Sequence, residues 1–179
     1  MPIWRPKRNA LATSLVEFLL QDGVLTGAGH SFRAALGRSG IIPAAQKREG
    51  DGATPSGLLQ LVRVLYRADR IKPPACAVPL EPIGPQDGWC DDPADPAYNK
   101  PVRLPYPASH EELWRADHVY DVIGVLDWNL SPVTPGCGSA IFFHVATPDY
   151  APTAGCVALA LPDVLAALKA GLSAIRVPG

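Results

Sequence analysis

A mainly β fold built from many short strands is what this sequence predicts, and three observations predict it. The 179 residues hold 16 glycines and 20 prolines, so turns are frequent and long helices few. Apolar residues make up 47% of the chain and charged residues 18%, enough to build a core at this length without covalent staples. The apolar runs are short and bounded by turn residues, as at Gln21-Asp22-Gly23 and Gly27-Ala28-Gly29. No internal repeat or linker divides the chain, which suits a single domain over 1–179.

The elements follow in order. Leu11, Leu15, Phe18 and Leu19 fit a helical stripe, but Ser14–Leu20 also fits a buried strand. The turns flanking Val24–Thr26 favour a meander of strands. Ser31–Leu36 is the next expected strand. Residues 47–57 form a polar, glycine-bearing loop that lacks the Gly-Lys-Ser/Thr ending of a phosphate loop. In the strand after it, period two puts Leu58, Val62, Val64 and Tyr66 on one face. The proline-rich stretch 71–107 reads as an ordered excursion anchored by Trp89, Tyr98 and Tyr106. Ser109 with Glu112 matches a capping box and predicts a short helix through Trp114. Val119–Leu126 reads as a strand. Ala140–Ala146 is the clearest one, with Ile141, Phe143 and Val145 on one face and Phe142, His144 and Ala146 on the other. Pro162, Asp163 and the stop at Gly171 predict a short helix, with Ser173–Val177 as a last strand.

Charge excludes some partners. A formal net charge of −1, from 16 basic and 17 acidic residues, leaves no electrostatic footprint for nucleic acid or an anionic membrane. No run of apolar residues is long enough for a membrane-spanning helix. Arg5, Lys7 and Arg8 precede the run Ala10–Leu20, but Glu17 interrupts it and no clean cleavage site follows, so no export signal is evident. Cys76, Cys90, Cys137 and Cys156 include no C-x-x-C pair, and neither a metal nor an organic cofactor is expected. A disulfide among Cys76, Cys90 and Cys137 is compatible with the sequence, which leaves the pairing open.

His144 and Cys156 carry the candidate chemistry. His144 lies near a strand end, the chain turns through Thr147–Pro152, and Thr153–Val157 returns beside that strand, within hydrogen-bond reach. A free thiol has a pKa of ~8.5 and is only a few per cent thiolate at neutral pH, so a neighbouring imidazole is the base it needs. Gly155 allows close backbone approach to a substrate carbonyl, the Cys156 amide lies in the oxyanion region, and Thr153 supports the turn. The residues alone equally allow a buried, inert cysteine beside a satisfied core histidine.

Phe142-Phe143-His144 followed by Pro152-Thr153-Ala154-Gly155-Cys156-Val157-Ala158-Leu159 resembles the active-site segment of the L,D-transpeptidase catalytic domain (YkuD-like). Gly138–Phe142, Gly50–Gly57, Ala35–Arg38 and Trp89–Pro93 are similar to further family segments, and the resemblance runs from about Leu25 to Val177. It implies a β-sandwich or curved sheet with two or three short helices. It implies Cys156 as nucleophile, His144 as proton acceptor and donor, and carbapenems as acylating inhibitors. The implied substrates are peptidoglycan stem peptides, hence a periplasmic or cell-envelope location and a role in wall cross-linking and cell shape. Many members read Ser-His-Gly-Cys, with Arg or Asn two residues after the cysteine and Gly after the upstream histidine. Here Ala154, Ala158 and Val145 stand at those places. Arg38 is a candidate for a substrate carboxylate, and Trp89, Asp91 and Tyr98 are candidates for lining a groove. A thiol hydrolase on the same scaffold and a non-catalytic wall-binding module are the alternatives.

Overall fold

The computed structural model describes residues 15–179; Arg5, Lys7, Arg8 and Leu11 lie outside the described residues. The chain opens as the expected meander. Strands β1 (Val16–Gln21), β2 (Val24–Gly27) and β3 (His30–Arg33) pair antiparallel in sequence. Both hairpins have two-residue turns with positive φ at each position: 52° and 71° at Asp22-Gly23, 48° and 78° at Ala28-Gly29. That geometry matches the right-handed twist of the strands it joins. Between helical stripe and buried strand, the segment Val16–Gln21 is strand, with Phe18 and Leu20 fully buried.

β4 (Ile41–Ile42), a 3₁₀ turn (Ala44–Gln46) and β5 (Thr54–Pro55) lead into the long β6 (Gly57–Tyr66). The proline-rich stretch contains β7 (Leu80–Pro82), β8 (Asp87–Cys90) and β9 (Pro101–Arg103), followed by β10 (His110–Glu112). β11 (Val122–Leu126), β12 (Phe142–Val145), β13 (Val157–Leu159), helix α1 (Leu161–Lys169) and β14 (Leu172–Val177) complete the chain. The main sheet runs β13-β12-β11-β6-β14-β1-β2-β3, with β7 added beside β6. Just past β3, Ala35 bridges Ala158 in β13, and Gly37 bridges Thr153. These bridges curl the sheet almost shut.

Three expectations fail for identifiable reasons. Leu58 and Val62 are exposed, whereas Leu59, Leu61 and Val64 are buried. The register explains this: Val125 pairs with Arg63 but Leu126 pairs with Leu61. The bulge at Val62 flips the alternation halfway along β6. The capping-box segment is not a helix, because His110, Glu111 and Glu112 pair with Cys90, Trp89 and Gly88. A helix of that length gains little on its own, while the strand buries Leu113. Among the described residues there is accordingly one α-helix, with one 3₁₀ turn, where two or three short helices were expected.

α1 lies where predicted, with Pro162 in its first turn and Gly171 just past its end at φ 95°. Val164, Ala167 and Leu168 pack into the main core with Phe143, Val145, Val157 and Leu159. A second core lies on the other face of β11–β13, where Phe142, Ile123, Val125 and Cys156 meet Trp89 and Leu113 from the β8–β10 sheet. The excursion thus roofs the face that carries the cysteine. All four cysteines are free thiols.

Candidate active site

β12 and β13 run parallel, with Phe143 opposite Val157 and His144 opposite Ala158. Side chains alternate, so Phe143 and Val157 enter the main core while His144 and Cys156 emerge together on the roofed face. Both line one cavity of about 200 Å³, with Glu111, Arg115 and Tyr120 on its walls. Cys156 also lines a smaller recess of about 70 Å³, shared with Lys47, Glu49, Asp91 and Glu111.

The turn before the cysteine is fixed by its own hydrogen bonds. The Thr153 hydroxyl donates to the Cys156 carbonyl at 2.7 Å and accepts the Gly155 amide at 3.1 Å. Gly155 has φ 141°, and a Cβ there would sit 2.8 Å from the Ala53 carbonyl oxygen. The glycine is required by the neighbouring chain at Ala53, a different reason from the substrate approach expected of it.

The thiol is held on both sides. The Phe142 amide donates to Sγ at 3.3 Å, and the thiol donates to the Ala140 carbonyl at 3.2 Å. No Cys156–His144 hydrogen bond is made in this resting arrangement. Burial and the Glu111 charge push the Cys156 thiol up to about 12, only partly offset by the Phe142 amide and Lys47. His144 is pushed down to about 4, chiefly by burial. Its Nδ1 lies 2.9 Å from the Val145 carbonyl. A carbonyl only accepts, so Nδ1 carries the proton and Nε2 is left as a base. The resting pair is a neutral thiol and a neutral imidazole.

Ala140 adopts φ 51°, a strained conformation for a residue with a Cβ. Asn99 holds it there. Asn99 Oδ1 accepts the Ala140 amide at 3.0 Å and the Trp89 indole N–H at 2.9 Å. Its Nδ2 donates to the carbonyls of Trp128 and Asn129 at 3.1 and 2.8 Å. Replacing Asn99 with Ala orphans two buried donors at ~1–3 kcal/mol each. We expect Asn99→Ala to lose ~2–4 kcal/mol of stability, read from the midpoint of chemical unfolding. A loss under ~0.5 kcal/mol, the range of ordinary surface changes, would contradict this role.

Around the histidine, Tyr120 stands edge-on at 5.4 Å between ring centroids. Its hydroxyl donates to the Glu111 carboxylate, whose pKa is raised by burial. Of the other residues singled out from sequence, Asp91 lines the small recess, and its Oδ1 is buried without a partner. Trp89 and Tyr98 are each 2% exposed and support the roof from within. Trp89 packs edge-on against Phe142, and Tyr98 donates to Glu49. Arg38 lines neither cavity; it lies over Gly52 and donates at 3.4 Å to the carbonyl of Gly50, a residue on the rim of the small recess. Sequence reasoning missed Glu111, Arg115, Tyr120 and Asn99. Glu111 falls inside the expected short helix, and nothing local marks the other three. Among the described residues, no three His, Cys, Asp or Glu side chains converge as a metal site.

The family model of the L,D-transpeptidase catalytic domain (YkuD) matches residues 12–170. The chain belongs to the L,D-transpeptidase family. Members of this family are cysteine-dependent transpeptidases that act on peptidoglycan, so an acyltransferase working on the cell wall is the general activity. The curved, mainly β architecture agrees with the family resemblance of the sequence. No match was found among curated proteins or among solved structures. No helix among the described residues of this L,D-transpeptidase domain is long and apolar enough to cross a membrane.

Proposed function

We propose that this L,D-transpeptidase domain cross-links peptidoglycan through a thioester on Cys156, with His144 as the proton carrier. The supporting observation is that paired strands β12 and β13 turn both side chains into one roofed cavity. The donor is a tetrapeptide stem, and the attacked bond joins its diamino acid to a terminal D-Ala. As donor enters, the thiol hydrogen swings from the Ala140 carbonyl to His144 Nε2 by rotation about the Cβ–Sγ bond. Sγ then adds to the carbonyl as His144 takes the proton. With the Gly155 amide committed to Thr153, the Cys156 amide is the donor assigned to the developing oxyanion. The C–N bond breaks, and His144 returns the proton to the leaving amine. An amine from a second stem attacks the thioester, releasing the thiol and forming the new amide. Beyond the two stems, these steps call on no group outside the protein, and a peptidoglycan substrate implies work at the cell envelope.

The test is mass spectrometry of purified protein with a tetrapeptide donor and a free D-amino acid. Exchange of the terminal residue is expected. Accumulation of tripeptide alone would instead establish a hydrolase, and an unchanged donor would favour a non-catalytic wall-binding module.

A further inference from the structure

The cavity holding Cys156 and His144 contains one cation, Arg115. Its Nε and Nη2 are fixed on Asp117 at 2.9 and 2.6 Å. Its backbone is tied down as well, because Arg67 Nη1 donates to the Arg115 carbonyl at 2.7 Å. The guanidinium lies 5.2 Å from the centroid of the Tyr120 ring. Among the described residues, Nη1 makes no hydrogen bond. The cation is thus pre-placed, with one edge uncommitted. Nearby, the lining includes the small apolar side chains of Ala154 and Ala158, which suit a ligand residue with a short side chain. The carboxylate in the same cavity, Glu111, accepts the Tyr120 hydroxyl.

We propose that Arg115 selects acyl donors by their terminal carboxylate, its Nη1 edge holding that of the small leaving amino acid while the scissile carbonyl faces Cys156. The ligand class is a peptide ending in a short-side-chain residue with a free carboxylate. A charged donor–acceptor bond of this kind is stronger than a neutral one and directional. The proposal rests on the acyl-transfer reading above and adds the residue that recognises the donor.

The experiment compares two donor peptides that differ only at the C-terminus, free acid against amide, with wild type, Arg115→Gln and Arg115→Lys. Wild type is expected to favour the acid in kcat/KM. Arg115→Gln should lower kcat/KM for the acid ~10–100-fold, the range for a lost hydrogen bond to a charged group, and leave the amide within about twofold. Arg115→Lys should recover part of the loss. Calorimetric binding of both peptides to Cys156→Ala and to Cys156→Ala/Arg115→Gln gives the same comparison without chemistry. If wild type turned over neither peptide, acyl transfer would fail, and the binding arm would still decide Arg115. An equal fall for both peptides, or no fall for the acid, overturns the proposal.

Discussion

Cys156→Ser is expected to abolish turnover, lowering it by ~10⁴–10⁶, the scale on which enzymes lose activity with their nucleophile. With a carbapenem, wild type should gain the mass of one drug molecule on Cys156, and the variant should gain none. The lactam carbonyl takes the sulfur, the ring C–N bond opens, and the ring nitrogen receives the proton. Serine preserves the size of the side chain, and its hydroxyl still donates to Ala140, so the fold should survive. Three other free thiols provide the control. Cys90 is fully buried, and burial raises both its pKa and that of Cys76. Cys76 and Cys137 are partly accessible. An adduct on Cys137 or Cys76 that persists in Cys156→Ser, with Cys156 untouched in wild type, would remove Cys156 from the mechanism.

His144→Gln should slow carbapenem acylation at neutral pH by ~10²–10⁴, the usual contribution of a positioned acid–base group. Its amide can still bond the Val145 carbonyl, and no large cavity is created. The thiol, already pushed up to about 12, then has to ionise without help. Below that value its thiolate fraction rises tenfold per pH unit, so the variant should recover rate as pH increases while wild type depends on pH far less steeply. Stability provides an independent readout. His144 is pushed down to about 4 from an ordinary 6.5. Between those values the unfolded chain binds a proton that the folded one refuses, so wild type loses stability as pH falls through this window, by up to ~3 kcal/mol. Gln does not titrate, and the variant should lose correspondingly less between pH 7 and pH 4.5. A variant that acylates as fast as wild type at neutral pH would show that His144 is not the base.

Sequence by itself determined what depends on near neighbours. Turn residues with positive φ set the β1–β3 meander, Pro162 and Gly171 bounded the helix, and period two along 140–146 put His144 opposite Phe143. The segment 142–159 carried the family resemblance, because the proposed nucleophile Cys156, the proposed base His144 and the turn between them lie in one strand–loop–strand return. Tertiary structure decided what depends on residues far apart in the chain. The bulge at Val62 exists only against β11 and reversed which leucines of β6 are buried. The segment at Ser109 has local helix signals worth little over one or two turns, and pairing with β8 outweighed them. That pairing carries Glu111 to the cysteine, across a gap in sequence that no spacing rule bridges. The pKa values belong to the same class. The spacing of His144 and Cys156 suggested an ordinary thiol near an imidazole. Folding buries both side chains, and the loss of hydration favours the neutral form of each, so the pair rests uncharged.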